Sequence, residues 1–145
     1  MVISNDELRA SFFSTVYDVI NDNYPDPEQR GKQWIFSTMP DTLAANFIGF
    51  PIIVINKARI SKDHELFDNS WSDKSTPVII TIYSTNNATV DAVSDGVDKV
   101  ITPSNLPQFK FNDYKESDGN TDLGQGTLHF RTMTYSVELM QLVQE

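Results

Sequence analysis

Pro77-Val78-Ile79-Ile80-Thr81-Ile82-Tyr83-Ser84 is the stretch whose reading decides the fold. Five consecutive residues, Val78 to Ile82, are β-branched, which suits a pleated strand and disfavours a helix. A polar break at Asn86-Asn87 follows and offers a helix N-cap. Val90, Val93, Val97 and Val100 then mark a narrow apolar stripe, while Asp91, Asp95 and Asp98 line another face. That spacing predicts an amphipathic helix over Ala88–Ile101. Asp95 and Lys99 make a favourable i,i+4 pair within it. Gly96 costs such a helix about 1 kcal/mol against alanine, so close packing is expected at that position. Pro103 ends the helix. Thr127–Leu139 reads as a returning strand, with Leu128 and Phe130 on one face and Met133, Tyr135, Val137 and Leu139 on the other.

Upstream, Ser4-Asn5-Asp6-Glu7 matches a capping box, flanked by Ile3 and Leu8 as a hydrophobic staple. Leu8, Phe12, Val16 and Val19 recur at helical spacing, so a helix is predicted over Asp6–Asn21. Asn23-Tyr24-Pro25-Asp26-Pro27 cannot continue it. Trp34-Ile35-Phe36 reads as a short strand, and Asp41–Phe47 as one or two helical turns. Ile52-Ile53-Val54-Ile55 is a continuous β-branched run, as expected of a strand covered on both faces, and it weakens towards Ile60. Ser61–Thr76 reads as a loop or a hairpin arm. Phe109 and Phe111 suggest a short strand, followed by a polar loop over Asp113–Gly126.

Two amphipathic helices need a shared sheet to bury their stripes. The expected fold is α+β: one domain over residues 1–145, with a mixed or antiparallel sheet packed against two main helices. The sheet is expected to contain Ile52–Ile60, Val78–Ser84 and Leu128–Leu139. A chain of 145 residues with 39% hydrophobic content and nine phenylalanines can bury a sizeable core.

Charge narrows the function. Twenty acidic residues against eleven basic ones give a net charge of −9. A grip on nucleic-acid phosphates needs clustered Lys and Arg, and docking on anionic membranes needs the same. There is no cysteine, which excludes disulfides, thiol catalysis and thiolate metal sites. The N-terminus lacks a basic region followed by a long apolar one, and the longest apolar run is Phe50–Ile55 with a proline inside. Folding in the cytoplasm, with no membrane partner, is the expectation.

Catalytic constellations are sparse. Asp63-His64-Glu65 suggests a metal site at first sight, but adjacent side chains point apart and His129 is far off in sequence, so a solvated loop is the better reading. No Gly-x-Ser-x-Gly elbow accompanies the many serines. Asp118-Gly119-Asn120-Thr121-Asp122 carries oxygen ligands without the order of an EF-hand loop, and reads more simply as a turn. Gly124-Gln125-Gly126 is too short for a phosphate cradle. No catalytic, cofactor or metal residue is assigned on these grounds. Aromatic residues in polar contexts often anchor protein contacts. Phe67 and Trp71, with Asp113 and Tyr114 in the polar loop, are the interface candidates. For Trp71, core and interface readings weigh equally, whereas the Phe109/Phe111 pair reads as core.

The order helix, strand, strand, Asn-rich turn, helix, closing strand resembles the tail terminator or tail-completion family of tailed viruses. The resemblance is carried by Ser11–Ile20, Ile52–Ile60, Val78–Ser84 with its terminal Tyr-Ser pair, Ala92–Val97, and Leu128-His129-Phe130-Arg131 onward. It covers most of the chain as a pattern of elements and contains no diagnostic motif. It implies a non-enzymatic virion protein without cofactors, assembled in the host cytoplasm. It further implies a ring of six copies at the head–tail junction, with the tail tube protein on one side and the head connector on the other. DNA would only pass through the lumen. Ser61–Thr76 and Asp113–Gly126 are less characteristic and leave open another head–tail joining protein. A small cellular adaptor domain that binds a protein or small ligand is also open, and an enzyme built on Asp/Glu acid–base chemistry leaves no spacing signature.

Overall fold

The computed structural model describes residues 5–56, 74–106, 109–122 and 126–139. The capping box at Ser4, the continuation of the second strand through Ile60, His64, Phe67, Trp71 and Gly124-Gln125 lie outside these residues. Helix α1 spans Asn5–Asn23 and is followed by strands β1 (Ile35–Phe36), β2 (Ile52–Ile55) and β3 (Lys74–Ser84). Helix α2 (Asn87–Val100) and strands β4 (Phe109–Asp122) and β5 (Thr127–Leu139) complete the fold. The architecture is α+β, with two helices and a five-stranded mixed sheet in the order β1-β2-β3-β5-β4. Among the described residues, only the β1–β2 pair is parallel.

Register explains which residues meet the helices. Ile53 pairs with Ile82 and Ile55 with Ile80, and β3 sets Ile80 against Met133 and Val78 against Tyr135. These side chains share one face and form a single core with Val16 and Ile20 of α1 and Val93 and Val97 of α2. Ile52 and Val54 point to the opposite face and are also buried, so the unbroken apolar run of β2 is covered on both sides as its composition requires. Pro77 sits in the half of β3 that β2 does not reach, since β2 pairs only with Ile80–Tyr83. A sheet tolerates a residue without an N–H at such a place.

The strand-to-helix turn is made by side chains. Buried Ser84 accepts a hydrogen bond from the backbone N–H of Asn86 at 3.1 Å. Asn86 in turn caps α2, its Oδ1 accepting from the amides of Ala88 at 2.9 Å and Thr89 at 3.4 Å. Gly96 is explained by packing: a Cβ there would overlap the ring of Tyr24, which lies against α2 just past the end of α1. Tyr24 also packs on Trp34 with ring centroids 6.1 Å apart.

Two expectations are corrected. Asp113–Gly126 is not a polar loop: residues through Asp122 belong to β4, paired along their length with β5. Asn112 falls out of register between Phe111 and Asp113, a bulge that reverses the in–out alternation. Phe111 therefore shares a face with Tyr114, Glu116 and Asp118, so the polar stretch that follows it is the same strand after a change of phase. The Asp118–Asp122 turn disappears for the same reason. Asp41–Phe47, expected as one or two helical turns, forms two successive turns, closed by Ala44 N–H to Asp41 O and Phe47 N–H to Ala44 O.

Candidate functional site

The sheet ends in β4 on one side and β1 on the other, and both edges carry exposed features. Of the interface candidates, Asp113 and Tyr114 are neighbours on β4, while Phe67 and Trp71 lie outside the described residues. The β4–β5 register lays Asp113 beside Ser136 and Lys115 beside Thr134, and β3 continues these rows with Pro77 and Ile79. Between them lies an open cleft of about 240 Å³, lined by Pro77, Asp113, Tyr114, Lys115, Thr134 and Ser136.

Towards the helix side, Tyr114 packs on Tyr135 with centroids 4.9 Å apart. Its hydroxyl donates to Glu116 at 2.7 Å, and the Tyr135 hydroxyl donates to Asp98 of α2 at 2.7 Å. Burial raises both phenols, and the adjoining carboxylates Glu116 and Asp98 raise them further by accepting the proton's hydrogen bond and opposing a second negative charge. Both remain protonated donors. Arg131 joins three elements: its Nε donates to Asp118 of β4 at 2.7 Å, and its Nη2 donates to Asp91 of α2 at 2.7 Å. The hydrogen bond from Arg131 holds the Asp118 carboxyl below its usual value, against a small burial penalty. These acids are thus occupied as acceptors in a docking network between helix and hairpin. Among the described residues no group of three or more His, Cys, Asp or Glu side chains is arranged to hold a metal ion.

The opposite edge carries a feature the sequence reading missed. The loop 37–50 between β1 and β2 exposes Met39 (40%) and Leu43 (93%), which with Tyr114 (39%) are the exposed large hydrophobics among the described residues. Asp41 sets the shape here, its Oδ1 accepting from the backbone N–H of Leu43 at 3.0 Å. That Asx-turn signal was available in Pro40-Asp41, and it turns Leu43 outward where a helix would have given it a neighbouring turn. A second cleft of about 360 Å³ runs under the loop, lined by Lys32, Phe36, Pro40, Asp41, Phe47 and Ile48 among others. The loop is anchored at its far end by Arg30, which donates to the carbonyls of Gly49 at 2.8 Å and Pro51 at 2.7 Å. Arg30 also forks onto Asp26, with Nε to Oδ2 at 2.8 Å and Nη2 to Oδ1 at 3.0 Å. Burial opposes the Asp26 charge, yet these bonds, two backbone amides and the guanidinium charge outweigh it and hold the carboxyl below its usual value.

No family model matches the chain, and no curated protein matches it. Among solved structures, a chain described as "Virion of native gene transfer agent (GTA) particle" matches with a TM-score of 0.55 at 11% identity. The match covers 86% of this chain and 92% of that one. At this identity the likeness is one of fold.

Proposed function

We propose that this chain is a non-enzymatic structural protein of a virus-like particle, located in the virion and assembled in the host cytoplasm. More finely, we assign it to the head–tail junction as a tail terminator, a single domain over 1–145 whose copies form a ring. The ring would cap the tail tube, end its polymerisation and join it to the head connector. The observation that carries most weight is the extent of the fold match, 86% of this chain against 92% of a chain from a gene transfer agent virion. The terminator-like order of elements supports the finer reading. A closed ring of six copies uses two different patches on each subunit, and the net charge of −9 suits a lumen through which DNA passes without adhering. Phe67, Trp71, Asp113 and Tyr114 are the proposed contact residues.

Mixing the purified protein with intact tail tubes tests the reading. Binding at one tube end is expected, together with arrest of tube growth when the protein is present during polymerisation. Failure to bind tubes that themselves stay intact would overturn the terminator role. Trp71→Ala is expected to weaken assembly, by about 2 kcal/mol of association energy if Trp71 is an interface anchor, while leaving the circular dichroism melt little changed. Lost thermal stability with unchanged assembly would make Trp71 a core residue instead.

A further inference from the structure

We infer that residues 42–48 form a strap that winds into a short helix and carries Leu43 from solvent into the cleft beneath its own loop. The segment already has both ends of a helix. At its start, Asp41 Oδ1 accepts from the backbone N–H of Leu43 at 3.0 Å, the bond an N-cap makes to the second helical residue. At its end, Gly49 has φ +88°, the left-handed conformation in which helices commonly stop. Between them the chain makes two separate turns, Ala44 N–H to Asp41 O at 3.2 Å and Phe47 N–H to Ala44 O at 3.0 Å. Each closes one residue short of the α-helical ring. Start and stop are set, and the winding between them is incomplete.

The side chains say what winding does. In a helix, Leu43 and Phe47 stand four residues apart on one face, as do Ala44 and Ile48. Ala44, Phe47 and Ile48 already line the cleft of about 360 Å³, with Phe36 of β1 as another wall. Leu43 is the member of that face left outside, 93% exposed. The far end of the strap is fixed, because Arg30 holds the carbonyls of Gly49 and Pro51. Phe47 is also packed edge-on against Phe50, with ring centroids 5.1 Å apart. Winding therefore moves the Asp41 end and swings Leu43 towards Phe47 and the cleft. A helix this short is marginal by itself, so burial of Leu43 supplies what the local bonds do not. The strap thus has two arrangements, one that offers Leu43 to a partner and one that withdraws it. The device lies within one chain and does not rest on the terminator reading.

The absence of native cysteine allows a direct test. Leu43→Cys is combined with Phe36→Cys in one chain, and the intramolecular disulfide is followed in the monomer under mild oxidation. Ala45→Cys with Phe36→Cys is the control, because Ala45 is exposed and falls on the far side of the wound helix. The 36–43 link should form at least about tenfold faster than the 36–45 link, since winding raises the effective thiol concentration. Adding Asp41→Ala, which removes the cap, should slow the 36–43 link severalfold, whereas Asp41→Ser, which still caps, should keep it fast. Lys32→Cys, at an exposed position lining the same cleft, repeats the comparison with the apolar wall intact. Circular dichroism melts check the fold of each variant. A rate advantage for position 43 with neither cleft partner, or one indifferent to Asp41→Ala, would overturn the inference.

Discussion

Gly96→Ala should destabilise this protein although alanine is the better helix former. In an open helix the exchange would gain about 1 kcal/mol. Here the new methyl would overlap the Tyr24 ring, which must move. Tyr24 is packed against the core and stacked on Trp34, so moving it gives up an aromatic contact of about 0.5–1.5 kcal/mol along with some buried area. Overpacking of this kind costs about 1–3 kcal/mol. The balance is a net loss of about 1 kcal/mol, read by urea denaturation, or about 3 °C in Tm for a chain of this size. The discriminating variant is Tyr24→Ala, which removes the obstacle. On that background Gly96→Ala should change sign and stabilise by about 1 kcal/mol, giving a coupling of about 2 kcal/mol in a double-mutant cycle. If Gly96→Ala had the same effect with and without Tyr24, the packing account of this glycine would be wrong.

Four further outcomes follow from the polar contacts. Asp26 is held below the ordinary carboxylate value of 3.8 in the folded protein. Its contribution to stability should therefore be complete above that value and lost as pH falls through the lower native one. In acid titrations followed by fluorescence, Asp26→Asn should flatten this part of the curve. Arg30→Ala should cost about 2 kcal/mol in urea, because it strands Asp26 and two loop carbonyls. Tyr135→Phe, which removes the bond to Asp98, should cost about 1–2 kcal/mol. By contrast, Arg131→Met should cost no more than about 1 kcal/mol, since Asp91 and Asp118 are largely solvated.

What was legible in the sequence was local. The β-branched run of β3, the Asn86 cap, the valine stripe of α2 and the span of β5 were all readable because each is fixed by neighbours within a few residues. Gly96 was legible as a packing site, though its partner Tyr24 was not. The strand β4 was hidden because the Asn112 bulge shifts the phase of its alternation and because an edge strand has little apolar surface to show. The site divides in the same way. Asp113 and Tyr114 were found as an aromatic in a polar setting, but assigned to a loop. Leu43 was missed because its exposure follows from a turn at Asp41 that replaces a helical turn. Arg131 reaches Asp118 across a hairpin and Asp91 across forty positions of sequence, contacts that leave no spacing to read.

The same bulge bears on how copies can meet. A long edge strand presents free main-chain groups and invites indiscriminate pairing. Along β4 that invitation is blunted by the break at Asn112 and by Asp113, Lys115, Glu116 and Asp118 in close succession. Main-chain strand addition is therefore the disfavoured route at this edge, because the bulge breaks the ladder and charged side chains stand along it. Side-chain recognition is left, and Lys115 and Asp113 beside a shallow cleft supply it with a definite polarity.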